Sequence, residues 1–373
     1  MQKKERLISA IKLKSVDRIP ATFRASDLTA RKTMEYFNLK DPDDFGSNYK
    51  ELLKRLGADF WSTGTKLDKF AILLPEFMGK KPQPPYVDDS NYFYTIGIKA
   101  KKAKMKNFDI SYPHIGIEPP LGHIDSANEL KNGFLLSRLK SFDFNKMKNR
   151  YGNIDIDEDN LICMGSLNSV FMICCYLRGM EKFLMDLAFN KKLAESLIKE
   201  VGDFCVEFNR REVLAAKDKA IYYGAWDDIA SQDGIMFDPQ IFKKYFLPVY
   251  RKMIGNCKKN GLFFGWHVCG SVHQFLPDMI DAGIDVFDVV QTSARDMKID
   301  KLYNLYGSSV CFHGGLDIQK LLVQGTAKQV KEEVKKIKEL WGKKGGIILA
   351  PTHLTLPDTP VINLVSIYEE INN

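Results

Sequence analysis

The sequence predicts an α/β fold, a (β/α)8 TIM barrel of parallel strands with helices outside. Three observations predict it. Short apolar, strand-like runs begin near Leu161, Ala220, Leu262, Asp285, Ser309 and Gly346, and helical spacing fills most of the intervals between them. Two further strand-like runs lie in the first third, at Asp17–Arg24 and Ala58–Trp61, which brings the count to the number a barrel needs. Polar residues able to do chemistry gather where the runs end, as the C-terminal mouth of a barrel demands. Repeated strand–helix units of this spacing mean parallel strands joined by crossover helices, and an open doubly wound sheet is the lesser alternative.

Taken in order, residues 3–14 have helical spacing (Leu7, Ile8, Ile11) and lead into the first strand. Residues 27–38 and 47–56 read as helices on either side of a loop. Between about 70 and 150 the pattern weakens: prolines cluster at 82–85, and Asn91 to Lys104 alternates as a hairpin does. This stretch is expected to be a cap or hairpin insertion within a single domain covering 1–373. Beyond it the helices are expected at 170–189, 191–216, 239–259, 272–282, 297–306 and 326–343, with a last one at 360–371.

Composition narrows the class. With 45% hydrophobic and 27% charged residues the chain can bury a sizeable core. No apolar stretch is long enough to span a bilayer, and Met1–Arg6 opens an amphipathic segment instead of a signal peptide, so a cytoplasmic protein with no membrane partner is expected. The net charge of +7 comes from scattered lysines; the dense run Lys99–Lys106 lacks any recognition motif or aromatic platform, which argues against nucleic acid. Seven cysteines, an odd number without a CxxC, form a reduced set and not a disulfide framework. Cys163, Cys174, Cys175 and Cys205 read as small buried hydrophobes.

The chemistry centres on Gly261–Gly270 (GLFFGWHVCG), an apolar strand bounded by glycines that ends in His-x-Cys. Residues two apart in a strand share a face, so His267 and Cys269 can converge on one atom. Imidazole nitrogen with thiolate sulfur suits zinc better than the oxygen-seeking magnesium or calcium. Two ligands do not make a site, and a lone His-x-Cys at a strand end is more often packing than metal. The other strand ends supply Asp227 and Asp228, Gln291, Cys311 with His313, Asp317 and His353. Asp227 and Asp228 are expected to orient a substrate or a ligand histidine, Gln291 to line a pocket, and His273 to face solvent.

Four motifs in order, Trp226–Gly234 (WDDIASQDG), His267–Gly270 (HVCG), Phe312–Asp317 (FHGGLD) and Gly345–His353 (GGIILAPTH), resemble the uroporphyrinogen decarboxylase-like superfamily. The nearer resemblance is to its zinc-dependent branch, the methylcobamide:thiol (coenzyme M-type) methyltransferases. In that branch a distant cysteine, seven positions before the second proline of a closing P-P-x-T-P-like motif, completes the His-x-Cys site. Here the closing motif is Leu356-Pro357-Asp358-Thr359-Pro360, and the count lands on His353. The resemblance therefore implies zinc held by His267, Cys269 and His353, with His313 as rival third ligand. It implies Asp227 and Asp228 as catalytic residues and Arg24, Gln291 and His313 as substrate contacts. The implied activity moves a methyl group from a methylcobamide to a thiol; since no Asp-x-His-x-x-Gly corrinoid motif is present, the corrinoid is expected on a partner protein. Two rivals stand beside it. One is a metal-free decarboxylase of a tetrapyrrole or polycarboxylate, gripping it through Arg24 and Arg295. Against it, Phe23-Arg24-Ala25-Ser26 and Phe60-Trp61-Ser62-Thr63 replace that enzyme's Arg-Gln-Ala-Gly-Arg opening and Phe-Ser-Asp turn. The other is a catalytically silent barrel that only binds a corrinoid protein.

Overall fold

The strands lie side by side in the order in which the chain makes them. In the computed structural model, β1 (Thr22–Phe23), β2 (Phe60–Ser62), β3 (Ile162–Met164), β4 (Ala220–Trp226), β5 (Phe263–His267), β6 (Val286–Val290), β7 (Cys311–Leu316) and β8 (Ile347–Pro351) form one eight-stranded sheet. Every neighbouring pair is parallel. The two edges also meet: Ala21 bridges Leu349 and Ala25 bridges Thr355, both parallel, and Leu349 N donates to Pro20 O at 2.8 Å. This is the α/β barrel arrangement the strand–helix alternation predicts. The described residues are 1–39, 45–62, 75–79, 96–100, 104–105, 108–111, 117–152, 162–164, 168–216 and 220–373.

Helices outside and side chains inside leave the strands buried on both faces, which is why β8 reads as a continuous apolar run and β6 as one interrupted only by Asp288. Alternation still sorts their residues. Trp266, Phe287 and Phe312 point outwards and pack in a row, with Trp266 also against Phe242 and Tyr250. Their neighbours His267, Asp288 and His313 therefore point inwards. Lower in the interior Tyr222, Val286, Cys311 and Ile348 pack with Leu7 and Ile11 of the helix Lys3–Ile11. Gly265 makes room there, because a Cβ on it would collide with the Tyr222 hydroxyl.

Outer helices follow the apolar periodicity. The helix Ala327–Trp341 starts in a capping box between Thr326 and Gln329 and buries Val330, Val334, Ile337 and Trp341 on one face. The single helix expected over 170–189 is two, Val170–Arg178 and Met180–Phe189, because Gly179 at φ +89° breaks the run. Short helices at Phe134–Arg138 and Leu321–Gln324 escaped the periodicity, being too brief to show it.

Between β2 and β3 the described residues form three antiparallel pairs: Glu76–Phe77 with Phe142–Asp143, Lys99–Ala100 with Ile117–Glu118, and Lys104–Met105 with Phe108–Ser111. The proline cluster at 82–85 and most of the hairpin expected at Asn91–Lys104 lie outside the described residues. Among the described residues no helix is long and apolar enough to cross a membrane.

Candidate metal centre

His267 is the last residue of β5, Cys269 follows two positions later, and His353 stands two positions beyond β8. Their ligand atoms all lie within 4.8 Å of one another. His267 Nε2 is 3.7 Å from Cys269 Sγ, and the two imidazole rings stand 5.8 Å apart, centre to centre. Zinc–nitrogen bonds of about 2.0–2.1 Å and a zinc–sulfur bond of about 2.3 Å, at a tetrahedral angle, set nitrogen and sulfur roughly 3.6 Å apart. The His267–Cys269 spacing and the mixed nitrogen–sulfur donor set both fit zinc.

Backbone contacts hold the two loops that carry these residues. Cys269 N donates to Asp228 Oδ1 at 3.4 Å, and Gly270 N donates to Gln291 Oε1 at 2.7 Å. Gly270 turns away at φ +87°, packed so tightly on the Ser231 carbonyl that a side chain would not fit. On the other side Thr352 N donates to Leu316 O at 2.9 Å, and Thr355 N to Arg24 O at 3.2 Å.

Beneath the three lies a buried carboxylate. Asp288 is opposite His267 in the β5–β6 register and opposite His313 in the β6–β7 register. Its Oδ2 accepts from His267 Nδ1 at 2.7 Å and from Arg24 Nη2 at 2.6 Å. His313 Nδ1 comes within 3.2 Å of Oδ1 without the alignment of a hydrogen bond, and His313 Nε2 is 2.7 Å from Thr22 Oγ1. Burial pushes the Asp288 carboxyl up, but Arg24, His313 and His267 outweigh it and hold the group well below the usual carboxylate range. In the metal-free chain burial pushes His267 down, yet the Asp288 charge lifts it to about 10. His353 falls to about 4, through burial first and then the nearby His267 and Arg24. His313 is lowered by the same causes, burial and Arg24.

Of the residues singled out in the sequence, the fold brings His267, Cys269 and His353 together. Asp228 touches the site through the Cys269 amide. Arg24 reaches Asp288 with one nitrogen, while its Nη1 is buried and makes no hydrogen bond. Gln291 braces the Cys269 loop. His313 lies lower in the interior, beside Thr22. Asp227 is a correction. Its carboxylate is fully buried and turned away from the site, where it caps the helix Val170–Arg178, accepting from Phe171 N at 2.8 Å, Met172 N at 2.9 Å and the Tyr250 hydroxyl at 2.5 Å. Adjacent residues at a strand end face opposite ways, so Asp227 and Asp228 cannot share a pocket. Burial pushes Asp227 up to about 7 against those three donors. Cys174, Cys175 and Cys205 are buried, and burial raises their thiols well above the ordinary value, as structural cysteines should show. His273, expected to face solvent, is half-buried, with Nδ1 3.4 Å from Ser271 Oγ.

Reading the sequence missed Asp288 and Thr22. For Asp288 a signal was present: it is the one charged residue inside the otherwise apolar run Val286–Val290. A charge in such a strand must have a buried partner.

The chain resembles known proteins in sequence family and in fold. The family model described as Uroporphyrinogen decarboxylase (URO-D) matches residues 154–373. The methylcobamide:CoM methyltransferase MtbA of Methanosarcina acetivorans is 25% identical over 252 residues, which is 66% of this chain and 66% of that protein. Among solved structures, a methyltransferase from Methanosarcina mazei superposes with a TM-score of 0.66 at 17% identity, covering 100% of this chain and 98% of that one. The last likeness is one of fold.

Proposed function

Since the chain belongs to the uroporphyrinogen decarboxylase (URO-D) family, we propose that it works as the family's zinc-dependent methyltransferases do, moving a methyl group from a methylated corrinoid on a separate protein to a thiol. The observation that carries the reading is the cluster of His267, Cys269 and His353, with ligand atoms within 4.8 Å of one another at the mouth of the barrel. Three protein ligands are the set of a catalytic zinc, with a fourth position left for substrate. Zinc bound there would act as a Lewis acid that favours the thiolate form of an acceptor. The chain's own residues do the rest. Asp288 accepts the Nδ1–H hydrogen bond of His267, Asp228 holds the Cys269 loop, and Arg24 Nη1 offers a buried donor to an anionic group on the acceptor. The chain aligns with about two thirds of MtbA, and the activity of that protein supports the methyl donor proposed here. Residues 70–150 are taken as an insertion into one barrel domain, because β2 and β3 are sheet neighbours across them.

A decarboxylase of a polycarboxylate needs several free cations. Arg24 already gives one nitrogen to Asp288, and Arg295 pairs with Asp233 at 3.4 Å on the surface, 65% exposed. Protein purified without chelators is expected to carry about one zinc per chain and to demethylate free methylcobalamin when a small thiol is added, followed by the corrinoid absorbance. A metal-free chain would promote the decarboxylase, and zinc without turnover would promote the silent barrel.

Zinc uptake has a predictable pH dependence. Below about 10 His267 keeps a proton on each nitrogen in the metal-free chain, and the metal must displace the one on Nε2. His353, lowered to about 4, is already neutral near pH 7 and gives up none. Affinity should therefore rise with pH through the neutral range, with at least one proton released per zinc. Calorimetric zinc titrations in buffers of different ionisation enthalpy check this; heats that do not vary with the buffer contradict it.

A further inference from the structure

We propose that Asp288 is the positioning residue of this metal centre: it fixes His267 with the proton on Nδ1 and the Nε2 lone pair turned towards Cys269 and His353. The inference rests on the zinc reading above and goes beyond it, since it concerns a residue that touches no metal. Asp288 is held from three sides in the barrel interior, with its side chain 6% exposed. A guanidinium only donates and an ionised carboxylate only accepts. With Arg24 Nη2 at 2.6 Å from Oδ2, the proton between that oxygen and His267 Nδ1, 2.7 Å away, belongs to the histidine. In the neutral ring, the form that binds a metal, Nε2 is then the free acceptor, and it is the nitrogen that stands 3.7 Å from Cys269 Sγ. Register makes the contact reproducible, because Asp288 and His267 are direct neighbours across β5 and β6 and both point inwards. A carboxylate behind a ligand histidine also makes the ring a better donor to a metal.

Asparagine at 288 keeps the shape and removes the charge. The bond to His267 falls to the strength of a neutral one, and Arg24 becomes an uncompensated cation close to the metal position. Asp288→Asn is expected to weaken zinc binding by about 10–100-fold, read by competition of zinc with a chromophoric chelator. Asp227→Asn serves as the control: it removes a buried carboxylate from the same barrel, 0% exposed but turned away from the site. It should lower the thermal midpoint and leave zinc affinity within about threefold of wild type. If Asp288→Asn does not fold, Asp288→Glu carries the same comparison, since it keeps the charge but moves the carboxylate by one methylene; weakened zinc binding there supports positioning. Wild-type affinity in the folded Asp288 variants overturns the inference while leaving the zinc reading intact. Equal losses in the Asp227 and Asp288 variants overturn it as well, because the effect would then be general to buried charge. A wild-type chain that takes up no zinc removes the reading and the inference together.

Discussion

His353→Ala is expected to lose zinc, while His313→Ala keeps close to one zinc per chain. Structural zinc sites gain roughly 10–16 kcal/mol from four ligands, about 3 kcal/mol each, so removing one ligand should weaken binding by about two orders of magnitude. His353 belongs to the group whose ligand atoms lie within 4.8 Å of one another. His313 is engaged elsewhere, with Nε2 2.7 Å from Thr22 Oγ1 and Nδ1 3.2 Å from Asp288 Oδ1. Metal content measured side by side for the two variants decides between them, and zinc retained in His353→Ala but lost in His313→Ala would reverse the assignment. The same position admits a second substitution. His353→Cys should keep zinc, add one negative charge to the site and raise the pKa of a bound acceptor thiol. The pH profile of methyl transfer should then move upward.

Asp59→Ala is expected to destabilise the fold by about 3 kcal/mol. This carboxylate is fully buried just before β2 and gathers four donors: Arg6 Nη1 at 2.5 Å, Arg18 Nη1 at 2.8 Å, Arg18 Nη2 at 3.2 Å and Ala21 N at 2.8 Å. It ties the first helix, the entry to β1 and the start of β2 into one corner at the foot of the barrel. Without it two cations lose their shared anion. Arg6 keeps Asp17 and the Met1 carbonyl, and Arg18 keeps the carbonyls of Ile19 and Gly57. Those remaining partners place the loss at the lower end of the range of about 3–5 kcal/mol for breaking a buried pair. The thermal midpoint should fall by roughly 5 °C. Asp233→Ala, which removes an 84% exposed partner of Arg295, should change stability by less than about 1 kcal/mol. Equal midpoints for the two variants would show that the corner contributes no more than a surface ion pair.

The sequence by itself determined the barrel, because its evidence is local and repeated. Apolar runs buried on both faces, parted by helices with one apolar face, leave parallel strands with crossovers as the arrangement that buries them all. It also determined that His267 and Cys269 share a side, since the strand period puts them there. The identity of His353 as their neighbour needed the family resemblance to be read at all, because periodicity says nothing about residues three strands apart in one sheet. That meeting depends on where β8 lies relative to β5, which the tertiary structure alone decided. The same holds for the two adjacent aspartates. Both sit at the end of β4 and look alike in the sequence, yet Asp227 faces the amides of the helix Val170–Arg178 while Asp228 faces the Cys269 loop. Asp288 and Arg24 likewise come from distant strands and meet only inside the barrel. A strand's period fixes which side chains share a face; what that face meets depends on how all the strands assemble, and only the folded barrel contains that information.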